Sequence, residues 1–196
     1  MAERGVSVDH STINRWVLHY TPMLESEFRK RKKPVGSSWR MDETYIKVKG
    51  QWKYLYRAVD KAGDTIDFLL TARRDRKAAL RFLNRAISGN ETTDEPLPER
   101  INIDKSGANK AAIDAFNEDE GTEIECRRCR YLNNVVEQDH RAVKRIVRPM
   151  LGFKLFRSAQ VTLAGVEVMH MIRKGQMRPE FAKDSTPAEQ FYSLAA

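Results

Sequence analysis

The sequence predicts an α/β domain in which helices pack on a mixed sheet. The first observation is a region rich in β-branched and aromatic residues, 39–71, which short Gly-containing turns at 49–51 and 62–64 divide into three runs. The second is the alternation of helical and strand-like patterns after residue 75. The third is a length of 196 residues, 41% hydrophobic and 32% charged, which suffices for one such core. Three antiparallel strands followed by alternating helices and strands indicate a mixed sheet.

Each element follows from a local pattern. At the N-terminus, Asp9 or Ser11 is a candidate cap, and apolar residues at helical spacing predict one short amphipathic helix over 8–20. A basic segment that contains Pro and Gly, 29–38, is interpreted as a linker. The predicted strands are 39–49, 52–60, 65–71, 101–104 and 123–127, and the other predicted helices are 75–87, 108–116, 134–147 and 156–173.

The basic residues predict a polyanionic partner. The formal net charge is +8 and the pI is about 9.6. The segment 126–157 contains nine basic and two acidic residues, so it holds most of the surplus. A second run, 29–33, is basic throughout. For either run alone, a solvated surface remains an alternative.

Composition excludes two classes of protein. The sequence has no apolar stretch of the roughly 20 residues that a spanning helix needs and no apolar region after the N-terminus, so it predicts neither a membrane anchor nor a secretory signal. The two cysteines, Cys126 and Cys129, are too few for a disulfide framework, which favours a cytoplasmic protein. Their spacing suits zinc, but no second pair of ligands follows, so we interpret them as reduced thiols.

Two acids occupy positions that suggest a site. Asp42 alternates in phase with Thr44 and Ile46, which places its carboxylate on the apolar face of the first strand. Glu43 and Lys47 are assigned to the polar face of that strand. Asp104 ends a short strand just before a helix, and ligands of α/β sheets bind at the carboxyl ends of strands. For Asp42, the alternative is a structural acid that lies at the sheet edge or pairs with an arginine. For Asp104, the alternative is a residue that caps the following helix.

Glu137 is the third candidate acid. It begins one face of the helix 134–147, and the other members of that face are His140, Arg141, Lys144 and Arg148. The alternative is a solvated face with an ion pair between Glu137 and Arg141. Three convergent carboxylates suit Mg²⁺, and two such ions can activate the attacking oxygen and stabilise the leaving oxygen of a phosphodiester. Nearby lysines and arginines would hold the DNA backbone.

Other acids and aromatic residues are weaker candidates for chemistry. The acids interpreted as lying outside the site are Asp60, Asp64, Asp67 and Asp139. Trp52 and Tyr54 are interpreted as sheet packing rather than as platforms on which bases stack.

Several sequence blocks in order carry a resemblance to a known family. The blocks are VDHSTINRWV at 8–17, WRMDETY at 39–45, YLYRAVD at 54–60, NNVVEQDH at 133–140, LGFK at 151–154 and GVEVM at 165–169. Over residues 6–176 the chain closely resembles bacterial insertion-sequence transposases of the DDE type, in the insertion sequence six family that includes insertion sequence twenty-six. The resemblance implies a ribonuclease-H-like core with a five-stranded sheet, in which Asp42, Asp104 and Glu137 are the catalytic, metal-binding acids.

The resemblance also implies an activity and partners. We expect Mg²⁺-dependent cleavage at the terminal inverted repeats of an element, followed by attack of the 3′-hydroxyls on target DNA, with two metal ions and with Mn²⁺ as a substitute. We expect a dimer or larger assembly on paired DNA ends. Lys144 matches a basic residue of this family and is expected to contact DNA. The further residues expected to contact DNA are His140, Arg141, Arg145 and Arg148 after Glu137, and Ser11, Thr12, Asn14 and Arg15 on the N-terminal helix.

The expected domain organisation places the catalytic region at 39–176. Residues 1–28 are interpreted as the remnant of a helix-turn-helix whose first helix is missing, 29–38 as the basic linker and 177–196 as a C-terminal tail. Without a partner helix, Ile13, Trp16 and Val17 are expected to be partly exposed. Two alternatives remain open: an inactive, truncated transposase that only binds DNA, and a ribonuclease-H-like nuclease. The expected location is the bacterial cytoplasm, at the nucleoid when DNA is bound.

Overall fold

A five-stranded mixed sheet lies at the centre of one of two compact units in the computed structural model, which describes residues 5, 7–90, 97–182 and 184–195. The sheet unit spans Lys33–Lys154. The second, helical unit combines the chain through Lys32 with the chain from Leu155 onward.

The order of the strands agrees with the predicted fold. The strands are β1 Ser38–Val48, β2 Gln51–Asp60, β3 Thr65–Thr71, β4 Arg100–Ile103 and β5 Glu125–Arg128. The sheet order is β3-β2-β1-β4-β5, in which β1, β2 and β3 form an antiparallel meander while β4 and β5 run parallel to β1. The predicted ribonuclease-H-like mixed sheet is therefore confirmed.

Helices cover both faces of this sheet. They are α2 Arg76–Ser88, α3 Gly107–Glu120 and α4 Asn134–Val147, with 3₁₀ turns at Arg130–Asn133 and Arg148–Met150. The main hydrophobic core joins Trp39 and Met41 of β1 to buried residues of α2 and α3. Strand residues alternate between faces, so Asp42 and its cross-strand partner Arg57 belong to the other face, which α4 covers. This arrangement puts Asp42 beside α4.

The helical unit contains four helices among the residues that the structure describes. They are α1 His10–Arg31, α5 Phe156–Arg173, α6 Pro179–Ala182 and α7 Pro187–Ser193. The Asp9 side chain caps α1 by accepting a hydrogen bond from the Thr12 N–H, at 2.8 Å. A Cβ added at Gly165 would lie 3.3 Å from Thr21 Oγ1, so a small residue at 165 allows α1 and α5 to approach closely.

The predicted N-terminal helix and linker need correction. The helix α1 runs to Arg31, past the predicted end at residue 20, so the first three residues of the predicted linker 29–38 are helical. Glu25 and Glu27 form ion pairs with Arg29, Lys30 and Arg31 one turn later, which offsets repulsion within the basic run. Cations in a last helical turn also interact favourably with the helix dipole.

The predicted C-terminal tail, 177–196, also has defined structure over its described residues. Met177 and Leu194 are buried, and the Arg31 side chain donates to the Ser193 carbonyl at 2.6 Å. Residues from 155 onward thus group with α1, and the compact sheet unit ends at Lys154. A boundary drawn from sequence similarity could not reveal this grouping, because it depends on contacts between distant segments.

The exposure of the N-terminal apolar residues agrees with expectation. Trp16 is exposed, and Ile13 and Val17 are half-buried. Within the described ranges, no helix combines the length and apolar character needed to cross a membrane.

The segment after α4 is hydrogen-bonded to the end of β1 next to Gly152. The Phe153 N–H donates to the Lys47 carbonyl at 2.9 Å, and the Lys49 N–H donates to the Phe153 carbonyl at 2.8 Å. Gly152 has a φ of 103°, and a Cβ there would lie 3.1 Å from the Lys47 carbonyl oxygen. Both the backbone angle and the close approach require glycine.

We expect Gly152→Ala to lower the free energy of unfolding by about 1–3 kcal/mol, the usual range for a residue forced into a sparsely populated backbone region. The matched control is Gly107→Ala, because Gly107 has ordinary backbone angles and open space around its Cα. Urea denaturation of both variants measures the difference. Equal stability of the two variants would contradict this account of Gly152.

Candidate active site

The pairing of β1 with β4 brings two of the candidate acids together. These strands are parallel neighbours, with Trp39 opposite Ile101 and Arg40 opposite Asn102. Continuing this register by two residues places Asp104 beside Asp42. Residues at equivalent positions of neighbouring strands point to the same face of a sheet, and the strands are about 4.8 Å apart. Asp42 is half-buried, and Asp104 follows the last residue of β4.

Glu137 reaches the same region from the first turn of α4. The buried face of this helix consists of Val136, His140, Val143 and Val147. Glu137 lies next to that face and is half-buried. Among the described residues, it forms no hydrogen bond or ion pair, so its carboxylate remains available.

Negative charge accumulates around Asp42. The pKa of Asp42 is raised to about 7, chiefly by burial and also by the nearby charges of Glu43, Asp104 and Glu137. The influence of Asp104 and Glu137 indicates that both lie within electrostatic reach of Asp42. A bound cation would relieve this repulsion.

His140 does not supply that cation. Its Nδ1 lies 3.7 Å from Asp42 Oδ2, but burial and the charges of Arg57 and Lys144 lower the pKa of His140 to about 3. The imidazole is therefore neutral at pH 7. The prediction that His140 lies on the DNA-facing stripe of the helix is wrong, because only 6% of its side chain is exposed. Helical spacing alone grouped His140 with the basic residues of α4, whereas the structure buries it together with Val136 and Val143.

A buried ion pair holds α4 on the sheet. The guanidinium of Arg57, which is fully buried in β2, contacts the Asp139 carboxylate at 2.6 Å. Asp139 is therefore a partner of Arg57, which agrees with its interpretation as an acid outside the candidate metal site. Because Arg57 lies opposite Asp42 in the β1–β2 register, this pair also orients α4 next to Asp42.

The other acids interpreted as structural have partners within the fold. Asp60 accepts hydrogen bonds from the backbone N–H groups of Gly36, Ala62 and Asp64, each at 2.9 Å, and so organises the turn after β2. Asp67 forms an ion pair with Arg85 at 3.0 Å.

Asp104 does not cap the following helix. Its Oδ1 accepts a hydrogen bond from the Ser106 N–H at 2.7 Å, and Ser106 caps α3 by accepting from the Asn109 N–H. The helix-cap alternative for Asp104 is therefore wrong. One oxygen of Asp104 shapes the loop after β4, and the carboxylate stays next to Asp42.

Sequence reasoning missed Glu43. Strand alternation assigned it to the polar face, but its side chain is buried, forms an ion pair with Arg74 and accepts a hydrogen bond from Asn109 Nδ2 at 3.1 Å. Burial raises the pKa of Glu43, and Asn109 and Arg74 oppose that rise. The available signal was its phase with Trp39 and Met41, which marks an apolar face.

A pair of buried asparagines was also missed. Asn102 Nδ2 in β4 donates to the Asn133 side-chain oxygen and to the Cys129 carbonyl, the latter at 2.8 Å. Asn133 Nδ2 in turn donates to the Met41 carbonyl at 3.4 Å. Met41 precedes Asp42, and Asn133 immediately precedes α4, so this amide pair connects the strand of one candidate acid to the helix of another.

The predicted DNA-contacting residues are basic or polar and mostly exposed. Arg141, Arg145 and Arg148 are exposed, and Lys144 is half-buried. Burial and the charge of Arg148 lower the pKa of Lys144, whereas the charge of Asp42 raises it. Lys144 therefore lies within electrostatic reach of Asp42.

On α1, the predicted DNA-contacting residues lie in the first two turns. Ser11, Asn14 and Arg15 are exposed, and Thr12 is half-buried. The Ser11 hydroxyl donates to Asp9 at 2.6 Å, and the Arg15 guanidinium donates to the Thr12 hydroxyl at 2.9 Å.

The donor set of the candidate acids fits a hard divalent cation, since it consists of carboxylates whose mutual repulsion is uncompensated. Over the described parts of the chain, no three His, Cys, Asp or Glu side chains are already close enough to form a ligand cluster. Cys126 is half-buried with its pKa raised by burial, and Cys129 is exposed.

We expect the pH dependence of stability to report the raised pKa of Asp42. Between pH 4 and 7 the folded protein holds a proton on Asp42 that the unfolded chain has released, so the protein loses stability as the pH rises through this range. The Asp42→Asn variant has no such proton to lose. In EDTA, the stability of the variant relative to the parent protein should therefore rise from pH 4 to 7 and then level off.

Thermal unfolding across pH measures this difference, with Asp114→Asn at an exposed position of α3 as the matched control. A stability difference between Asp42→Asn and the parent that is constant with pH would contradict the raised pKa.

We expect the hydrogen-bonded pair Asn102 and Asn133 to contribute to the stability of the fold. Asn133→Ala removes one acceptor of the buried Asn102 amide and the side-chain donor to the Met41 carbonyl, so the free energy of unfolding should fall by about 1–3 kcal/mol. The neighbouring Asn134→Ala changes an exposed residue and should stay within about 0.5 kcal/mol of the parent. Urea denaturation measures both changes, and a similar loss in both variants would argue against the amide connection.

Comparison with known proteins identifies the family. Residues 36–176 match a family model described as a DDE domain. A transposase for the insertion sequence-like element IS431mec from Staphylococcus aureus strain Mu50 is 37% identical over 179 residues, which cover 91% of this chain and 76% of the relative. A Staphylococcus aureus transposase for insertion sequence element IS257 in transposon Tn4003 is 38% identical over 176 residues, with coverages of 89% and 75%.

Two solved structures of viral integrases are also similar. The catalytic core domain of BIV integrase shares 16% identity at a TM-score of 0.49, covering 82% of this chain and 97% of that chain. The HTLV-2 integrase catalytic core domain in complex with magnesium shares 19% identity at a TM-score of 0.47, with coverages of 62% and 75%. The family assignment rests on the sequence matches. The chain belongs to the DDE transposases of bacterial insertion sequences, in the insertion sequence six family.

Proposed function

We propose that this chain catalyses DNA strand cleavage at the terminal inverted repeats of an insertion sequence and joins the resulting 3′-hydroxyl ends to target DNA. The observation that carries this proposal is the parallel pairing of β1 with β4, which sets Asp104 beside Asp42 on the face that α4 covers, with Glu137 in the first turn of that helix. Three carboxylates on adjacent elements, next to a basic helix end, form the arrangement that metal-assisted phosphodiester chemistry needs. Membership in the DDE transposase family supports the same chemistry.

The proposed metal ligands and catalytic acids are Asp42, Asp104 and Glu137. Two Mg²⁺ ions, for which Mn²⁺ would substitute, would activate the attacking oxygen and stabilise the leaving oxygen. The protein itself prepares this site by leaving Glu137 without a partner and by keeping His140 neutral beside Asp42. Since His140 carries no charge, it does not compete with a metal ion for the Asp42 carboxylate.

The residues around the acids position them and bind substrate. Arg57 and Asp139 fix α4, and the Asn102–Asn133 pair connects it to β1. We propose that Lys144 contacts a phosphate next to the scissile bond, because it lies on α4 within electrostatic reach of Asp42. The exposed Arg141, Arg145 and Arg148 would bind the flanking DNA backbone in the same way.

The rest of the chain would contribute recognition and assembly. We propose that the start of α1, with Ser11, Thr12, Asn14 and Arg15, contacts DNA, and that the catalytic region is 39–176. Two or more copies would act on paired ends, because each element has two termini to be joined.

The test is an assay of nicking and strand joining on DNA that carries the inverted repeats flanking the gene, with Mg²⁺ or Mn²⁺. The protein should give joined products, and Asp104→Asn should reduce them by roughly 10³-fold or more, the scale of loss when one member of a catalytic set is removed. The matched control is Asp114→Asn, which changes an exposed aspartate of α3 and should retain joining.

The outcomes separate the alternatives. Metal-dependent cutting without joining would favour a ribonuclease-H-like nuclease. DNA binding that survives Asp104→Asn, with no products from the parent protein, would favour an inactive DNA-binding module. Joining that is equal in the parent and in Asp104→Asn would refute the assignment of the acids.

A further inference from the structure

The hydrogen-bonded pairing of β1 with β4 ends before it reaches the candidate acids. This pairing extends to Arg40 and Asn102, two positions before Asp42 and Asp104. Strand β4 itself ends at Ile103, so Asp104 begins a loop. The pairing therefore sets the register of the two acids, but it does not by itself hold the loop of Asp104 in place.

Glu43 contacts the helix that follows this loop, from the opposite face of the sheet. It comes directly after Asp42 on β1, so its side chain points to the face that α3 covers. Only 3% of the Glu43 side chain is exposed. Its Oε2 accepts a hydrogen bond of 3.1 Å from Asn109 Nδ2 in the first turn of α3, and Arg74 pairs with its other oxygen.

Hydrogen bonds continue from Asn109 to Asp104. The Asn109 N–H donates to Ser106 Oγ at 3.5 Å, and the Ser106 N–H donates to Asp104 Oδ1 at 2.7 Å. Asn109 is fully buried and Ser106 is nearly so, which limits competition from water. The residue after Asp42 is thus connected to Asp104 through the start of α3.

Packing of α3 does not by itself explain why an acid lies at this place. Burying a carboxylate costs free energy, and apolar residues of similar volume in place of a buried ion pair are often neutral or stabilising. Burial raises the pKa of Glu43, and the charge of Asp104 adds to that rise. The Glu43 carboxylate therefore lies close to the candidate site and has a connection to it that an apolar side chain would not provide.

We propose that Glu43 is a positioning residue for Asp104. Through Asn109 it fixes the start of α3, and the start of α3 fixes the loop that presents the Asp104 carboxylate beside Asp42. Without this connection the loop would open away from β1 more readily, because the strand pairing does not extend to it. This inference rests on the proposed function, since it concerns the position of a proposed metal ligand.

The test exchanges the two partners of the hydrogen bond between Glu43 and Asn109. Asn109→Asp places two carboxylates against each other and breaks the bond. Combining Asn109→Asp with Glu43→Gln restores a pair of amide and carboxylate with the net charge of the parent protein. Hydrogen exchange of the Ser106 and Lys110 N–H groups, measured by NMR in EDTA, reports opening of the loop and of the first turn of α3.

Exchange of both N–H groups should be about 10- to 150-fold faster in Asn109→Asp, the range for loss of one hydrogen bond to a charged group. An acid in the first turn of a helix is by itself stabilising, so added charge alone would not give this result. The double variant should return to within about threefold of the parent. If Asn109→Asp fails to fold, Asn109→Ala removes the donor without adding charge and should act in the same direction.

The matched control is Asn117→Asp. It adds the same charge near the other end of α3 and removes a hydrogen bond to the Ile124 carbonyl. Exchange at Ser106 should stay within about twofold of the parent in this variant, because the two ends of the helix are independent sites.

Binding of Mn²⁺, measured from the electron paramagnetic resonance signal of the free ion, provides a second readout. Asn109→Asp should weaken binding by about 10- to 100-fold, the scale of loss when a residue that orients a metal ligand is changed. Added negative charge alone would strengthen binding instead. The double variant should recover the affinity of the parent.

Three results would overturn the inference. The first is stronger Mn²⁺ binding in Asn109→Asp with Ser106 still protected, which would assign the pair a role through charge alone. The second is an equal loss of protection in Asn117→Asp, which would indicate general weakening of α3. The third is a double variant that restores nothing.

The exchange measurement needs neither metal nor DNA, so the two proposals fail separately. If strand joining works but Asn109→Asp leaves the exchange of Ser106 unchanged, the proposed function stands and the role of Glu43 falls. If no joining occurs but the exchange results are as expected, Glu43 positions the loop and the proposed function falls.

Discussion

The parallel pairing of β1 with β4 is the constraint on which the candidate site depends. Asp42 and Asp104 are 62 positions apart along the chain, and only this register sets them side by side. The strand β1 is the middle strand of the sheet, and α4 covers the face of β1 from which Asp42 projects. The first turn of this helix therefore brings Glu137 to the same region. Two buried connections hold α4 there: the Arg57–Asp139 ion pair and the Asn102–Asn133 amide pair.

Electrostatics explains why these connections matter. Placing carboxylates near one another in a partly buried site costs free energy, and the raised pKa of Asp42 is the sign of that cost. The fold compensates the charge of Glu43, which is buried on the opposite face, since Arg74 and Asn109 are its partners. It leaves Glu137 without an ion-pair partner among the described residues. Such an arrangement is stable as a scaffold and receptive to a cation, which is the condition that metal-assisted catalysis requires.

Much of the fold could be predicted from local patterns. The limits of β3, α4 and α5 agree with the predicted ranges, because turns, caps and helical periodicity are properties of neighbouring residues. The errors share a different origin. Strand alternation assigned Glu43 to a polar face and helical spacing assigned His140 to the basic stripe, but contacts with distant elements bury both side chains. The run 29–38 was interpreted as a linker from its charge, although partners one turn earlier permit a helix through Arg31.

The sequence by itself determined the fold class, the order of the elements, the basic character of the segment after β5 and the family resemblance that named Asp42, Asp104 and Glu137. These follow from periodicity and from ordered motifs, which are written along the chain. Only the tertiary structure decided that Asp104 and Glu137 lie within electrostatic reach of Asp42, that Asn133 connects two of their elements, and that Glu43 is hydrogen-bonded to the helix after Asp104. Burial, pKa and exposure depend on which distant residues become neighbours, and no local pattern encodes that information.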